Sequence, residues 1–371
     1  MKDLIKTLLY HIFCLIPIKK NKIICCNFYD KGFGDSPKYI VKELLKEKNK
    51  YDIVWVCRKE GELSLPNGVR SSRGIKALYE YATAKIWISN VRMPLYLKKR
   101  KKQLYIQTWH GSICIKKIEY DVIDKLSNKY IKMMKQDNKQ IDLILSNNNL
   151  MNNIFKTGFK YDGKIFTDGL PRNDLFFENH STYINKIKKH YNIKEESILL
   201  YAPTFRNTND YNPYDIDYKK LKNVLEKSTK KSWKILARLH PNMANESHKY
   251  IDTSVCVDAS DYPDLQELMC ACDVLITDYS SIMFEAMIAN KPVLLYCSDI
   301  DEYLDDRGFY FSIKDLPFPL LYKNSELIDY INHNDVYSII KKYNKLKKEI
   351  GLKESGKSSK KIVKIINDEI F

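Results

Sequence analysis

The sequence lacks paired cysteines in the spacing of a zinc ribbon, and it lacks an apolar run long enough to cross a bilayer comfortably. Its nine cysteines are an odd number and are scattered, so reduced thiols in a cytosolic compartment are the simplest interpretation. Cys270 and Cys272 form a C-x-C pair without a second pair, which favours small core residues over metal ligands. No cleavable signal peptide, internal repeat or low-complexity linker is recognisable.

The length and charge of the chain bound its class. At 371 residues the chain exceeds the roughly 250–300 residues at which single cores usually split, so two domains are expected. Lysine and arginine number 62 against 46 aspartate and glutamate, a formal net charge of +16. This excess favours an anionic partner such as nucleic acid, a phosphorylated metabolite or an acidic membrane surface. A nucleic-acid binder is the weaker class, because the basic residues are spread along the chain rather than gathered in one aromatic-interleaved motif.

The N-terminal segment, residues 1–21, combines apolar and basic residues. It is short and soon interrupted by Pro17. Its lysines flank apolar side chains. The lysines are Lys2, Lys6, Lys19 and Lys20, and the apolar residues are Leu4, Leu8, Leu9, Ile12, Phe13 and Ile16. The pattern suits a helix lying in the interface of an anionic membrane, and it suits equally a helix packed on its own domain. We predict that residues 1–21 associate with the membrane.

Beyond this segment, short apolar runs alternate with helical stretches, which is typical of β-α units and a parallel sheet. The first series predicts an α/β domain over residues 22–175, with Ser36 capping a helix and Pro37 in its first turn. A second series predicts a similar domain over 176–330, and lysine-rich helices follow over 331–371. We expect two parallel-sheet α/β domains with a cleft between them.

Polar residues follow three predicted strands of the second domain. They are Thr204, Arg206, Arg238, His240, Asp278, Ser280 and Ser281. Ligands bind open parallel sheets beyond the carboxyl ends of the strands, so these positions are candidates for a site. Arg238 and His240 alternate, so a regular strand would place both on one face. A helix is expected to open at Ser280 and Ser281, where N–H groups and hydroxyls can bind a phosphate, although ordinary N-capping by Asp278 or Ser280 is the alternative.

A histidine also follows a predicted strand of the first domain. His110 ends the run LYIQTWH, Gly111 allows close approach of the backbone, and Lys116 supplies positive charge nearby. One histidine at a strand end in each domain, His110 and His240, predicts a cleft with a proton-handling group on either wall. Neither stands in a Ser-His-Asp order or a metal-ligand spacing. The residues alone therefore lead only to a two-domain transferase acting on a phosphorylated ligand.

An ordered series of motifs resembles the CDP-glycerol glycerophosphotransferase family, the enzymes that prime or polymerise the poly(polyol phosphate) chains of teichoic acids and related capsules. In chain order the motifs are GDSPKYI (34–40), IQTWHGS (106–112), DGLPRND (168–174), LLYAPTFR (199–206), RLHP (238–241), DVLITDYSSIMFEAM (273–287) and DEYLDDRGFY (301–310). They cover residues about 25–315, and seven agreements in order are not expected by chance.

The resemblance implies a GT-B architecture, in which two Rossmann-like domains with parallel sheets face each other across a cleft. Residues 22–175 would bind the acceptor and 176–330 the donor. It implies transfer of glycerol phosphate or ribitol phosphate from a CDP-alcohol to a hydroxyl of a lipid-linked acceptor, such as an undecaprenyl-linked saccharide. CMP would be released at the cytoplasmic face of the membrane. No cofactor or metal is expected, an anionic membrane surface is an expected partner, and an oligomer is compatible with the sequence.

The family's functional residues carry over by motif. Its catalytic histidines fall on His110 and His240. The donor site is expected to comprise Thr204, Arg206, Arg238, Asp278, Ser280, Ser281, Glu285, Arg307 and Gly308. The acceptor site is expected to comprise Gly34, Trp109, Gly111 and Lys116. In this scheme His110 removes the proton from the acceptor hydroxyl, while His240, Arg307 and the helix start at Ser280 hold the β-phosphate under attack.

The sequence departs from the family pattern in two places. Glu285 stands where the family often has aspartate, so its contact with ribose or alcohol is open. Polymerising members commonly carry a long N-terminal extension, so the compact length resembles the priming members more, although short capsule enzymes are the alternative and the identity of the donor stays open. A GT-B nucleotide-sugar glycosyltransferase or epimerase is the rival interpretation. It would share the fold and the histidine at a strand end, but it would not need QTWHG and TDYSS together.

Overall fold

The structure is a computed structural model of the chain, and it describes residues 2–47, 50–59, 61, 63–206, 214–240, 243–300 and 308–371. The chain divides into two compact units. Unit 1 comprises Met1–His110, Ile118–Asp174 and Leu352–Phe371, and unit 2 comprises Gly111–Lys117 and Leu175–Gly351. The chain therefore passes from unit 1 to unit 2 inside the IQTWHGS motif.

Unit 1 is built on a parallel sheet in which seven strands are described. They are β1 (Lys19–Cys26), β2 (Asp52–Val56), β3 (Val69–Ser72), β4 (Ala84–Ser89), β5 (Leu104–Gln107), β6 (Leu143–Ser146) and β7 (Lys164–Thr167). Their order across the sheet is β3-β2-β1-β4-β5-β6-β7, and every pairing is parallel. The carboxyl ends of these strands therefore share one edge of the sheet.

Unit 2 has its own parallel sheet, of which six strands are described. They are β8 (Ser197–Tyr201), β9 (Trp233–Ala237), β10 (Val257–Asp258), β11 (Val274–Thr277), β12 (Val293–Tyr296) and β13 (Leu320–Leu321). Their order is β10-β9-β8-β11-β12-β13, again with parallel pairings throughout. Two α/β units with parallel sheets confirm the predicted fold class.

Helices fill the connections between strands, as parallel pairing requires. The α-helices are α1 (Lys2–Phe13), α2 (Asp35–Leu44), α3 (Gly74–Thr83), α4 (Asn128–Asn138), α5 (Asn149–Thr157), α6 (Ser181–His190), α7 (Tyr218–Thr229), α8 (Leu265–Ala271), α9 (Ile282–Ile288), α10 (Asn324–His333), α11 (Tyr343–Glu349) and α12 (Ser358–Ile370). Short 3₁₀ helices cover Glu119–Lys125, Pro171–Phe177, Ala244–Lys249, Ile313–Asp315 and Val336–Lys342.

The last helix, α12, belongs to unit 1 although it comes from the end of the chain. Its apolar face, which includes Ile362 and Ile366, is buried in the unit 1 core with Ile40 and Leu44 of α2. Asp174 caps its first turn, because the carboxylate accepts from the N–H groups of the two residues that begin the helix, at 2.9 and 2.7 Å. The helices predicted over 331–371 are thus shared between the two units.

The start of α2 differs from the prediction. The helix begins at Asp35 with Gly34 at the N-cap position, so the predicted cap at Ser36 is wrong. Ser36 lies inside the first turn, and its N–H donates to Oδ1 of Asp35 at 2.5 Å. The sequence also did not predict β3 and β7, because both are four-residue strands with polar or charged residues among them.

The N-terminal helix α1 packs on α3 with one face only. Tyr10 is buried, and the ring of Phe13 lies 5.8 Å from that of Tyr79. Leu4 and Leu8 are 73% and 64% exposed, and further exposed apolar residues of this region are Ile5, Ile12, Leu15 and Ile16. In the part of the chain that the structure describes, no helix is long and apolar enough to cross a membrane.

All nine cysteines are free thiols. Cys270 and Cys272 are completely buried, and burial raises the pKa of the Cys272 thiol to about 12. These two residues are therefore core side chains, as the sequence favoured. Within the described ranges, no group of three or more histidine, cysteine, aspartate or glutamate side chains is arranged to hold a metal ion.

Candidate active site

His110 lies just beyond β5, at the carboxyl edge of the unit 1 sheet. The side chain is half-buried, and its Nδ1 lies 2.7 Å from the carbonyl oxygen of Asn90. Because a carbonyl only accepts, Nδ1 carries a proton, and Nε2 of the neutral ring is the nitrogen that can accept one. Asn90 follows β4, the neighbour of β5, so two adjacent strand ends create this pair.

The side chain of Asn90 ties this edge to the loop after β1. Its Nδ2 donates to Oδ1 of Asn27 at 2.9 Å, and its Oδ1 accepts from the N–H of Phe28 at 2.8 Å. Phe28, Tyr29 and Asp30 have φ angles of 40°, 56° and 70°, a conformation that residues other than glycine rarely adopt. The ring of Phe28 lies 5.7 Å from that of His110. Asn90 thus holds both the imidazole and the loop beside it.

Trp109 packs against the imidazole, with ring centroids 4.2 Å apart. Trp109 is itself buried and packs on Phe159 at 4.7 Å. Behind them the guanidinium of Arg92 lies 4.1 Å from the Phe159 ring centroid, and its Nε donates to Oε1 of Glu119 at 3.0 Å. This arrangement favours a packing role for Trp109 beside His110, and its predicted contact with the acceptor stays a prediction.

Burial favours the neutral form of the His110 imidazole. Burial lowers the pKa of His110, and the hydrogen bond to the Asn90 carbonyl acts in the opposite direction. The charge of Asp35 raises this pKa and that of Arg172 lowers it, and these two side chains pair at 2.9 Å between Oδ2 and Nη1. A neutral imidazole, with one nitrogen that can accept a proton, is the form a general base requires.

Gly34, a predicted contact of the acceptor, lies next to this ion pair, at the N-cap position of α2. Sequence reasoning missed Asn90, Asp35 and Arg172 as parts of the site. Asn90 follows an apolar strand, so the strand-end rule applied to unit 2 could have found it. Asp35 and Arg172 lie in the motifs GDSPKYI and DGLPRND, but nothing in the sequence indicates that they pair across 137 positions.

In unit 2, the segment that follows His110 packs on helix α9. The N–H and the hydroxyl of Ser112 both donate to Oε1 of Glu285, at 2.9 and 3.0 Å. A Cβ atom at Gly111 would lie 3.1 Å from Oγ of Ser281, so glycine permits this close approach. Glu285 is buried, and this placement favours a structural role over the donor contact predicted from the sequence.

The same segment pairs with residues at the end of the motif DEYLDDRGFY. Lys116 forms an antiparallel bridge with Phe309, and the N–H of Lys117 donates to the carbonyl of Gly308 at 3.1 Å. Two motifs that are distant in sequence are therefore adjacent in unit 2. Arg307, the predicted phosphate ligand, lies outside the described residues.

Asp278 organises the strand ends at the centre of the unit 2 sheet. Its carboxylate accepts from the N–H and hydroxyl of Thr204 at 2.9–3.0 Å and pairs with Nη2 of Arg206 at 2.8 Å. Nε of Arg206 donates to Asp299 at 2.6 Å. Burial raises the pKa of Asp278, and the charge of Arg206 opposes this. The network favours a positioning role for all three predicted residues over direct contact with a phosphate.

Arg238 and His240 lie in a loop, because β9 ends at Ala237. The regular strand on which the predicted shared face depends therefore ends before these two residues. Alternation nevertheless persists, since Leu239 between them is buried and its N–H donates to the hydroxyl of Ser260 at 3.0 Å. Arg238 is half-buried and His240 is exposed, so both turn away from the core.

Ser280 and Ser281 precede α9 and are half-exposed. Ser281 occupies the N-cap position without a side-chain cap hydrogen bond. The carboxylate of Asp278 is directed to Thr204 and Arg206, and Oγ of Ser280 lies 3.5 Å from the N–H of Ile282, so ordinary capping by either residue is weak or absent here.

Comparisons with known proteins identify the family of the chain. A family model described as CDP-glycerol:poly(glycerophosphate) glycerophosphotransferase matches residues 8–368. The chain is 31% identical to the teichoic acid poly(glycerol phosphate) polymerase of Bacillus spizizenii, over 97% of this chain and 95% of that protein. It is 28% identical to the teichoic acid ribitol-phosphate primase of the same species, over 95% and 92%. A solved structure of the wall teichoic acid polymerase TagF matches with a TM-score of 0.84 and 28% identity, over 98% of this chain and 94% of that chain.

The polymerase and the primase from Bacillus spizizenii are both matched over nearly their whole length, so chain length does not distinguish the two activities, and a priming role stays a prediction. The match to the family model covers nearly the whole chain and includes all seven motifs. It confirms the resemblance and the assignment as an enzyme over the rival nucleotide-sugar interpretation. The chain belongs to the CDP-glycerol:poly(glycerophosphate) glycerophosphotransferase family, the transferases of teichoic acid synthesis.

Proposed function

We propose that this enzyme transfers glycerol phosphate or ribitol phosphate from a CDP-alcohol to a hydroxyl of a lipid-linked saccharide, with release of CMP. The observation that carries the proposal is the oriented imidazole of His110. Its Nδ1 proton is directed to the Asn90 carbonyl at 2.7 Å, and burial lowers its pKa. Nε2 can therefore accept a proton at neutral pH.

In the proposed step, Nε2 of His110 accepts the proton of the acceptor hydroxyl while the hydroxyl oxygen attacks the β-phosphorus of the donor. The bond between that phosphorus and the oxygen bridging to the α-phosphate breaks, and CMP leaves with the electron pair. A positioned base typically contributes about 10²–10⁴ in rate. Phosphoryl transfer otherwise depends mainly on positioning and on neutralising phosphate charge.

Unit 2 binds the donor in this proposal. Ser280 and Ser281 would donate to the pyrophosphate from the start of α9, with Arg238 and His240 on the loop after β9. Arg307, which lies outside the described residues, stays a predicted ligand of the same group. Thr204, Asp278 and Arg206 would hold the strand ends that carry these donors.

The lipid-linked acceptor places the reaction at the cytoplasmic face of the membrane. The exposed apolar face of α1 supports peripheral association, because burying it in the lipid interface removes apolar surface from water. The net charge of +16 favours an anionic surface. Unit 1 carries α1 and His110, so it is the unit proposed to receive the acceptor.

Product analysis tests the proposal. The full chain is incubated with CDP-glycerol, CDP-ribitol or a UDP-sugar, each with an undecaprenyl-linked disaccharide, and products are identified by mass spectrometry. We expect one CDP-alcohol to give an acceptor heavier by one or more polyol-phosphate units together with CMP. His110→Asn, whose side-chain amide can still donate to the Asn90 carbonyl, is the matched control and should give no product above background. Transfer from the UDP-sugar alone would refute the proposal.

A further inference from the structure

A cavity of about 440 Å³ lies at the carboxyl edge of the unit 1 sheet, beside its outermost strand β3, where β2 and β3 end and α3 begins. Its lining includes Arg58, Ser71, Ser72, Arg73, Gly74 and Lys76. Three of these side chains are cationic and exposed. No carboxylate is among the lining residues in the described part of the chain. The cavity therefore has the charge of an anion-binding site.

Ser72, the last residue of β3, lines this cavity and is 3% exposed. Its Oγ is buried and has no hydrogen-bond partner among the described residues. Its carbonyl, by contrast, accepts from the N–H of Cys57 at 3.0 Å, so the backbone at this position is satisfied. A buried hydroxyl without a partner is destabilising, and such groups are rare in native proteins. A ligand in the cavity could supply the missing partner.

The first turn of α3 faces the same cavity. The first hydrogen bond of the helix runs from the N–H of Ala77 to the carbonyl of Arg73, so the N–H groups of Gly74 and Lys76 make no intrahelical bond. Arg73, at the N-cap position, makes no side-chain cap hydrogen bond, and the first turn contains no acidic residue. Gly74 has a φ of +56°, which favours glycine, and a Cβ there would meet nothing within 4 Å. Backbone donors are therefore accessible to a ligand.

Arg58 is oriented by the loop that lies beside His110. Its Nε donates to the carbonyl of Tyr29 at 3.1 Å. Tyr29 directly follows Phe28, whose ring lies 5.7 Å from that of His110. The cavity and His110 are thus connected through one loop on the same edge of the sheet.

We propose that this cavity binds a phosphate group of the acceptor. Oγ of Ser72, the N–H groups of the first turn of α3, and the guanidinium groups of Arg58 and Arg73 would donate to its oxygens. The identity of the ligand as an acceptor phosphate rests on the proposed function, whereas the anion site itself does not. None of the seven motifs includes Arg58, Ser72 or Arg73.

The distance of the cavity from His110 indicates which phosphate of the acceptor would bind there. β3 and β5 are separated by four steps in the order β3-β2-β1-β4-β5. At roughly 4.8 Å per step, the strand that ends at Ser72 lies about 19 Å from the strand that leads to His110. The bound phosphate is therefore remote from the reacting hydroxyl, so the site distinguishes acceptors that already carry phosphates from those that do not.

Direct binding tests this proposal without donor or turnover. A synthetic glycerol phosphate trimer is titrated into the full chain by calorimetry. The variants are Ser72→Ala, which removes the hydroxyl alone, and the double variant Arg58→Gln/Arg73→Gln. Lys101→Gln/Lys102→Gln removes the same charge from exposed positions of unit 1 and is the matched control. Thermal melting verifies that each variant is folded.

We expect the double variant to weaken trimer binding about tenfold or more, since charge-assisted hydrogen bonds contribute about 1.5–3 kcal/mol. Ser72→Ala should weaken it measurably and the control should not. Inorganic phosphate should compete with the trimer. Binding of the same variants to phosphatidylglycerol vesicles is measured in parallel by sedimentation. Equal trimer binding by the arginine double variant and the wild type overturns the proposal, and so does a loss of binding confined to the vesicles, which would assign the site to lipid headgroups. Because no CDP-alcohol is present, the binding result can be interpreted even if the proposed transfer reaction is not observed.

Discussion

The N–H and the hydroxyl of Ser112 both donate to Oε1 of Glu285, at 2.9 and 3.0 Å. Ser112 stands two residues after His110, and Glu285 lies in helix α9 directly after the TDYSS motif. Both residues are buried in unit 2. The contact therefore fixes the segment that follows His110 on the helix whose start is proposed to bind the donor phosphates. Two motifs are joined by one carboxylate oxygen.

Replacing Glu285 by alanine should impair both stability and turnover. The change leaves the two buried donors of Ser112 without this acceptor, and each such loss costs about 1–3 kcal/mol. We expect a lower melting temperature and a reduced kcat, whereas Glu285→Gln, which retains an acceptor oxygen, should lie between alanine and wild type. Calorimetric melting and steady-state transfer rates measure the two effects. Wild-type stability in the alanine variant would show that the contact is unimportant.

Asn90→Asp should shift the pH dependence of the reaction. The substitution retains an acceptor for the N–H of Phe28 but introduces a negative charge beside the carbonyl that holds His110. A nearby negative charge favours the protonated imidazole, so the pKa of His110 should rise. A base must be unprotonated, so the acidic limb of kcat/KM against pH should move to higher pH by roughly one unit. Asn90→Ala, which adds no charge, should lower kcat without this upward shift. If the acidic limb of kcat/KM stays at the wild-type pH in the aspartate variant, then His110 is not the group whose titration produces that limb.

Glu354 should make the stability of unit 1 depend on pH. Its carboxylate accepts from Nδ2 of Asn173 at 2.7 Å and Nδ2 of Asn147 at 2.8 Å, and burial raises its pKa from the ordinary 4.5 to about 8. The folded state then holds a proton that the unfolded state releases, so its contribution to stability is present below pH 4.5 and is lost as pH rises through about 8.

Glu354→Gln removes this titration while keeping the size of the side chain. Between pH 5 and 9 its melting temperature should fall less than that of the wild type. Glu349→Gln, at a position whose side chain is 57% exposed, is the control and should follow the wild type. Parallel pH profiles for all three proteins would remove Glu354 as the cause.

The exposed face of α1 should determine membrane binding. Leu4 and Leu8 of α1 are 73% and 64% exposed, and Leu15, two residues after the end of the helix, is 84% exposed. Burying a leucine side chain contributes about 1.5–3 kcal/mol, so replacing all three by serine should weaken binding to phosphatidylglycerol vesicles by tenfold or more. Vesicle sedimentation measures this. Phe177→Ser removes an exposed apolar side chain from unit 2 and should bind as the wild type does. Equal sedimentation of the triple variant would exclude α1 as the anchor.

The sequence predicts those parts of the site that obey local rules. The predictions of His110 and His240 rest on the rule that polar residues after apolar strands lie at the ligand-binding edge of a parallel sheet, and their roles stay predictions. The contact of Ser112 with Glu285 spans 173 positions, and no local pattern encodes such a pairing. The same limit applies to α12, whose cap Asp174 lies 184 positions away from Ser358.

Two further differences between prediction and structure depend on tertiary structure rather than on the sequence pattern. Arg238 and His240 alternate as a strand would, but β9 ends one residue before Arg238 and the loop keeps the alternation. The sequence predicts Arg206 as a residue of the donor site, yet its guanidinium forms ion pairs with the carboxylates of Asp278 and Asp299. Charge alone could not distinguish a ligand contact from an internal pair.

The role of His110 as the general base is the central claim. Single-turnover transfer and CDP-alcohol binding are measured on the same preparations of wild type and His110→Ala. We predict that the rate falls by about 10²–10⁴, while the dissociation constant of the CDP-alcohol stays within about threefold of the wild-type value. An equal loss of binding and rate, or a rate close to wild type, would contradict the claim.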